Sequence, residues 1–176
     1  MTKALLSCLL VFVFAPLCLA QQQPATSSQI SELRWFVGHW NCEGKFASGK
    51  SISANASFEA TLDDHWILFR HDDNPPFNYH ALSEWGWSDK SQQFVSLIQD
   101  SGGGARAFYS SGWTGAKLRW EGGAFNPDQA HSERFEFSKL DNDAFQVAYS
   151  YFKDGKWISV DASKCTRVNL SPSNPN

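Results

Sequence analysis

The stretch ERFEFSKLDNDAFQVAY, residues 133–149, has the pattern of two β-strands joined by a tight turn. Phe135 and Phe137 alternate with polar residues in the first half, and residues 145–149 alternate in the same way. Residues 141–143, Asp-Asn-Asp, form a turn signal between the two halves. A period of two is typical of a strand with one buried face and one face in water, so this stretch predicts an antiparallel hairpin.

The same pattern continues through most of the chain. Ten segments rich in aromatic, β-branched and hydroxyl residues are separated by nine turn signals. The turn signals lie at Ser48-Gly49, Asp63-Asp64, residues 72–76, Asp89-Lys90, residues 101–104, Thr114-Gly115, residues 126–128, residues 141–143 and residues 153–155. Ten short strands with tight turns predict an all-β fold, a ten-stranded antiparallel up-and-down β-barrel, because closure removes exposed sheet edges. A sandwich of two sheets is the alternative.

A short N-terminal helix is expected ahead of the first strand. Ile30, Leu33 and Val37 are spaced as on one face of one or two helical turns. Gly38 follows, and a glycine at this point lets the chain turn from the helix into the barrel. Trp40, two residues later, is placed to plug one end of the barrel interior.

The first twenty residues have the composition of a secretory signal peptide. Lys3 is followed by an apolar stretch without acids, which ends on Cys18-Leu19-Ala20 with small residues at the positions that a signal peptidase requires. Removing residues 1–20 leaves a formal net charge of −4 and no second apolar run. The mature protein is therefore expected to have no membrane span and to be secreted or periplasmic.

Composition divides the rest of the chain into three parts. Residues 21–29 are polar and predict a flexible lead-in, and residues 171–176 contain only Ser, Pro and Asn and predict a disordered tail. Residues 30–170 have the length of a single β-barrel domain. The whole chain has 15 Lys and Arg against 18 Asp and Glu, without a basic run, which argues against nucleic acid as a partner.

Two cysteines remain after the signal peptide, Cys42 near the start of the first predicted strand and Cys165 near the end of the last. The first and last strands are neighbours in a closed barrel, so the two thiols are expected to form a disulfide, with unpaired thiols as the alternative. The same adjacency brings Arg167 to Trp40, where its guanidinium is expected to stack on the ring as a cation–π lid. Each cysteine lies two residues from its lid residue and so shares its strand face.

Three segments carry a resemblance to known proteins. They are residues 33–40, LRWFVGHW, residues 85–95, WGWSDKSQQFV, and residues 111–118, SGWTGAKL. With the Gly-x-Trp opening at Gly38 and the basic residue Arg167 on the final strand, the chain resembles the calycins, the lipocalin and fatty-acid-binding superfamily. It resembles more closely the DUF1579 family of exported bacterial proteins, over residues 31–168. The resemblance implies a ten-stranded antiparallel barrel like that of nitrobindin, and it implies no particular activity.

Cofactors and covalent catalysis find little support in the sequence. The chain lacks the Gly-x-Ser-x-Gly motif of serine hydrolases. Nitrobindin-like barrels bind haem through a histidine on a late strand, and none of the five histidines lies on the last two predicted strands. His71 and His80 flank an acidic turn and, with Asp72 or Asp73, are a candidate metal site, for which a hydrated turn is the simpler interpretation. We predict no catalytic residue, no metal site and no cofactor.

The aromatic content is the positive clue to function. The chain contains 8 Trp, 14 Phe and 4 Tyr, more than a barrel lid requires. A ten-stranded barrel is wide enough to leave a cavity, so these side chains either fill the interior or line a pocket for a flat or apolar ligand. Arg70, Glu84, Arg106 and Tyr149 are the candidate polar groups of such a pocket. The sequence leaves open which faces of their strands point inward.

The sequence therefore predicts an exported barrel that binds a small apolar or aromatic molecule without catalysis. A cavity enzyme of the isomerase, cyclase or lyase type is one alternative, and it requires an inward acid or base with a shifted pKa. A protein-interaction module is the other alternative, because residues 66–69 and residues 94–98 are apolar on both strand faces. The sequence leaves the ligand and the oligomeric state open.

Overall fold

The computed structural model describes residues 29–124 and 132–168 of this chain. The predicted signal peptide, nearly all of the predicted lead-in and the predicted disordered tail lie outside these residues. Within the described ranges, one 3-10 helix, Ile30–Phe36, precedes eleven β-strands, and no helix has the length and hydropathy needed to span a membrane. The strands are β1 (Gly38–Phe46), β2 (Ser51–Thr61), β3 (Trp66–Asp73), β4 (His80–Ser88), β5 (Gln93–Asp100), β6 (Ala105–Ser110), β7 (Trp113–Thr114), β8 (Lys117–Ala124), β9 (Glu133–Lys139), β10 (Ala144–Lys153) and β11 (Lys156–Val168).

Ten of these strands form a closed antiparallel barrel, which confirms the predicted strand number and excludes the two-sheet sandwich. Consecutive strands pair from β1 to β6 and from β8 to β11, and the ring closes where β6 pairs with β8 and β1 pairs with β11. The short strand β7 pairs with β8 and is an addition that the turn pattern does not predict. Gly112, with a φ of +96°, takes the chain out of β6 just before β7 in a conformation that favours glycine.

The hairpin of β9 and β10 shows how alternation places side chains inside the barrel. Val147 lies opposite Phe137, and Tyr149 lies opposite Phe135. Phe137 and Phe145 are buried. Because successive side chains of a strand point to opposite faces, these five share the interior face and the residues between them face outward. The period of two predicted for this stretch is confirmed.

The 3-10 helix closes one end of the barrel. Ile30, Leu33 and Phe36 are fully buried, because a helix with three residues per turn places every third side chain on one face. The sequence pattern predicts Val37 as the third residue on this face. That prediction is wrong, because it assumed α-helical spacing. Val37 instead follows the helix, with 37% of its surface exposed.

Phe36 lies at the centre of an aromatic cluster that fills the helix end of the barrel. Its ring centroid is 5.1 Å from that of Phe58 on β2, 5.4 Å from that of Trp85 on β4 and 5.4 Å from that of Phe145 on β10. Stacked and edge-to-face pairs at these distances contribute beyond the burial of apolar area. The helix is thereby held against several walls of the barrel at once.

A disulfide and a cation–π contact join β1 to β11 where the barrel closes. Cys42 and Cys165 lie opposite each other in the register and form the disulfide. Trp40 lies opposite Arg167, whose guanidinium carbon is 4.1 Å from the Trp40 ring centroid. Nη1 of Arg167 also donates a hydrogen bond of 2.7 Å to the carbonyl oxygen of Val37. The last strand is therefore bound both to the first strand and to the end of the helix.

Gly38 makes this close approach possible. It has a φ of +130°, and a Cβ at this position would lie 2.8 Å from Nη1 of Arg167. Nη2 of Arg167 donates a hydrogen bond of 2.8 Å to the carbonyl oxygen of Trp35 in the helix. Glycine is required here both for the backbone conformation and for the space that the arginine occupies.

Candidate functional site

The half of the barrel opposite the helix contains a cavity of about 750 Å³. It opens between the β3–β4 loop and the β5–β6 loop, which contribute residues 77–79 and residues 101–102 to its lining. The wall is mainly apolar and includes the side chains of Phe69, Ile98, Phe135, Phe137, Phe145 and Val147. The composition suggested two roles for the aromatic side chains, and the structure shows both. They fill the barrel at the helix end and line a pocket at the other end.

The structure brings two of the four predicted ligand-binding residues into this cavity. Arg106 on β6 and Tyr149 on β10 belong to its lining. Arg70 and Glu84 are exposed on the outer face and do not belong to the site. Alternation explains the difference, because Phe69 points inward on β3 and so directs the adjacent Arg70 outward, and Glu84 lies between two buried neighbours on β4.

Arg106 organises a hydrogen-bond network at the mouth of the cavity. Its Nη1 donates to Oε2 of Glu133 at 3.0 Å, and its Nη2 donates to Oδ2 of Asp100 at 3.0 Å and to the hydroxyl of Tyr79 at 2.9 Å. The hydroxyl of Tyr149 donates to the same Oε2 of Glu133 at 2.8 Å. Burial, followed by this bond to a carboxylate, raises the pKa of Tyr149 well above its usual value. The phenol is therefore a fixed, protonated donor.

A second polar group lies across the mouth, on β3 and β11. Nε2 of His71 and Oδ1 of Asp73 are 2.8 Å apart, and both side chains line the cavity. Asp161 on β11 also lines it, opposite Tyr149 in the register. Burial raises the pKa of Asp161 to about 6, while attraction to His71 opposes the rise and repulsion from Asp73 adds to it. An acid with a raised pKa therefore faces the pocket.

Sequence reasoning missed Asp161, although the sequence contains the signal that identifies it. The disulfide and the lid place Cys165 and Arg167 on the inner face of the last strand, and a period of two extends that face back through Ser163 to Asp161. No comparable signal in the sequence indicates that Asp73 points inward. Its orientation depends on which face of β3 points into the barrel, and both faces contain apolar and polar residues.

Alternation also separates the residues of the candidate metal site. His71 and Asp73 point into the barrel, whereas Asp72 and His80 are cross-strand partners outside it, with Nδ1 of His80 2.8 Å from Oδ1 of Asp72. His71 and His80, which flank the acidic turn, therefore lie on opposite sides of the barrel wall. Within residues 29–124 and 132–168, no group of three or more His, Cys, Asp or Glu side chains is arranged to hold a metal ion.

The raised pKa of Asp161 predicts a gain in stability for the Asp161→Asn variant at neutral pH. The folded wild-type protein binds this proton more tightly than the unfolded chain does, so the associated stability is complete below about pH 4 and is lost as the pH rises through about 6. A shift from 3.8 to about 6 corresponds to about 3 kcal/mol. Because the carboxyl is partly exposed, solvent screening reduces the expected gain to about 1–2 kcal/mol.

Urea unfolding at pH 7.5 and at pH 4.0 measures this difference. We expect Asp161→Asn to exceed the wild type in free energy of unfolding at pH 7.5 and to approach it at pH 4.0. Glu84→Gln, the same loss of charge on the outer wall, is the control and is expected to change little. A variant that is less stable than the wild type at pH 7.5 would show that the ionised carboxylate stabilises the fold instead.

Comparisons with known proteins leave the family of the chain open. No family model and no curated protein matches it. Among solved structures it is similar to a redesigned β-barrel, with 8% identity and a TM-score of 0.44 over 80% of this chain and 96% of that chain. It is also similar to a de novo designed fluorescence-activating β-barrel, with 11% identity and a TM-score of 0.41 over 77% of this chain and 95% of that chain. The resemblance to calycins and to the DUF1579 family stays a prediction.

Proposed function

We propose that this protein is an exported calycin-like barrel that binds a small hydrophobic or aromatic molecule in its cavity and does not transform it. The cavity of about 750 Å³ is the observation that carries the proposal. Small-molecule pockets have volumes of about 300–1,000 Å³ and combine apolar walls with a few polar groups that orient the ligand. Here the apolar rings form the walls, and the Arg106 network supplies the polar groups at the mouth.

The disulfide is consistent with both the proposed ligand pocket and the proposed export of the protein. Cys42 and Cys165 belong to the lining of the cavity, so their bond holds together the wall that a ligand would contact. Disulfides persist in oxidising compartments such as the periplasm and the extracellular space. Together with the signal-peptide composition of residues 1–20, this supports a secreted or periplasmic protein.

A cavity enzyme is the second candidate function. It requires an inward acid or base with a shifted pKa, and Asp161 meets that requirement with a pKa of about 6. Tyr149, its partner across the register, is a protonated donor on the same face. Binding ranks first because these groups define an acid–base pair but no particular reaction.

Filling the cavity is expected to weaken the binding of an apolar probe. Val147 lines the pocket on β10, and the neighbouring Gln146 is exposed on the outside of the same strand. In Val147→Trp the indole occupies space that a flat ligand needs, so we expect 1-pyrenemethanol to bind at least about tenfold more weakly than to the wild type, the loss of about 1.4 kcal/mol that a displaced apolar contact commonly costs. Pyrene fluorescence titration measures the affinity.

The matched control is Gln146→Trp, which adds the same side chain to the outer wall and is expected to leave the affinity unchanged. Circular dichroism checks that both variants keep the β-sheet signal. Equal binding of 1-pyrenemethanol by both variants and the wild type would place the probe outside the cavity, and absence of binding by the wild type would contradict the proposed function.

A further inference from the structure

We propose that the molecule bound in this cavity is an amphipathic amine, with an apolar or aromatic body against the ring-lined wall and a protonated nitrogen on the carboxylate of Asp161. This inference rests on the proposed function, because it names the ligand class for the same cavity. The observation that supports it is that, among the described residues, the charged side chains lining the cavity are paired within the protein, with the exception of Asp161.

The other charged side chains of the cavity have partners in the protein. Arg106 is held between Asp100 and Glu133 by hydrogen bonds of 3.0 Å. Asp73 is 2.8 Å from Nε2 of His71. Asp161 differs, since it interacts with His71 and Asp73 through longer-range electrostatics, and no side-chain hydrogen bond within the described part of the chain satisfies its carboxylate.

This arrangement favours a cation over a neutral or anionic ligand. A neutral ligand that fills the mouth would remove water from an ionised carboxylate without replacing it, which costs free energy. An anionic ligand would be repelled by Asp161 and would compete with Asp100 and Glu133 for Arg106. An ammonium group would supply the missing counter-charge through a charge-assisted hydrogen bond.

The surroundings of Asp161 define what the amine is attached to. Its register partners are Phe46 on β1 and Tyr149 on β10, and the Tyr149 ring stacks on Phe135 with centroids 4.8 Å apart. Aromatic faces beside a carboxylate also attract a cation through the ring quadrupole. A nitrogen joined to a flat body by a short linker would therefore reach Asp161 while the body remains on the rings.

Partial burial supports the same assignment. It raises the pKa of Asp161 to about 6, so the carboxyl is ionised at pH 7.5 but poorly solvated. Acids held in this condition within a cavity are candidates for a functional role. A bound cation can stabilise the negative charge that water solvates only poorly.

Three probes with the same aromatic body test the proposal, namely 1-pyrenemethylamine, 1-pyrenemethanol and 1-pyrenecarboxylate, titrated at pH 7.5 by fluorescence. We expect the wild type to bind the amine about tenfold more tightly than the alcohol, and the carboxylate more weakly than the alcohol, from the strength of a charge-assisted hydrogen bond. Asp161→Asn is expected to lose the preference for the amine and to bind the alcohol at least as tightly as the wild type does, because no ionised carboxylate is desolvated. Binding of the alcohol also shows that the variant is folded.

Glu84→Gln is the matched control, since it removes one negative charge from the outer wall. It is expected to keep the tenfold preference, whereas general attraction of a cation to an acidic protein would be reduced equally by both substitutions and screened by salt.

Equal affinity for amine and alcohol, or the same preference in Asp161→Asn as in the wild type, overturns the proposal and leaves the proposed function standing. Tightest binding of 1-pyrenecarboxylate also overturns it and assigns the ligand contact to Arg106, whose buried Nε has no hydrogen-bond partner in the described residues. If the wild type binds none of the three probes, the proposed function fails and this inference fails with it.

Discussion

Replacing Phe36 by alanine is expected to lower the free energy of unfolding by about 3–5 kcal/mol, the usual cost of deleting a buried aromatic ring. Phe36 has no exposed surface, and its ring contacts those of Phe58, Trp85, Phe137 and Phe145 on four different strands. The void left in Phe36→Ala would lie between rings that also pack on one another, so the site cannot collapse to fill it. Urea unfolding followed by tryptophan fluorescence measures the loss.

Val37→Ala is the control for this prediction. Val37 is the neighbouring residue that α-helical spacing would place in the core, and it is exposed. Its replacement is expected to change the free energy of unfolding by less than about 0.5 kcal/mol. Similar losses in the two variants, or a loss below about 1 kcal/mol for Phe36→Ala, would show that the helix does not plug the barrel as described.

Removing the disulfide through Cys42→Ala and Cys165→Ala together is expected to cost about 3–5 kcal/mol. The bond links residues that are 123 positions apart, and the chain-entropy relation gives close to 5 kcal/mol for a loop of this length. Cys42 and Cys165 are also buried, so the alanines lose packing at the seam between β1 and β11. Replacing both residues avoids leaving a single reactive thiol. Thermal and urea unfolding of the double variant measure the effect.

A double variant that fails to fold would still be informative, because the wild type can be unfolded with and without a reductant under the same conditions. We expect reduction to shift the urea midpoint in the same direction as the double substitution. A difference below about 1 kcal/mol in both comparisons would mean that the hydrogen bonds and the Arg167–Trp40 contact alone are enough to close the barrel.

The architecture of the barrel followed from local pattern to a large extent. Alternation identified the β9–β10 hairpin, and the spacing of turn signals predicted ten strands. Closure was predicted from two pairs at the chain ends, Cys42 with Cys165 and Trp40 with Arg167, and both pairs are opposite each other in the register. Such features are readable because strand periodicity and turn chemistry depend on residues that are close in sequence.

Local pattern failed where two periodicities compete or where a strand is very short. The segment around Val37 satisfies α-helical spacing, but the chain forms a 3-10 helix whose period of three selects Phe36. The two-residue strand β7 is too short to show alternation, and it pairs with β8 through the tight turn at Gly115.

The predictions for the candidate site were also correct only in part. Arg106 and Tyr149 were among the four predicted residues and line the cavity, while Arg70 and Glu84, chosen on the same grounds, face outward. On β3 both faces contain apolar and polar side chains, so composition does not show which face is inside. A one-residue change of register would exchange them.

The sequence by itself determined that this chain forms a ten-stranded antiparallel barrel closed between its first and last strands, because alternation, turn residues and the paired end positions act over short range or at one seam. Only the tertiary structure decided where the interior is full and where it is empty. Phe36 and its aromatic neighbours fill one end, and the other end retains a cavity in which Asp161 faces Tyr149 and the apolar wall. Whether side chains from distant strands meet or leave a space depends on the sizes and directions of the side chains around the whole barrel. The periodicity of one strand contains no information about the side chains of the strands opposite it.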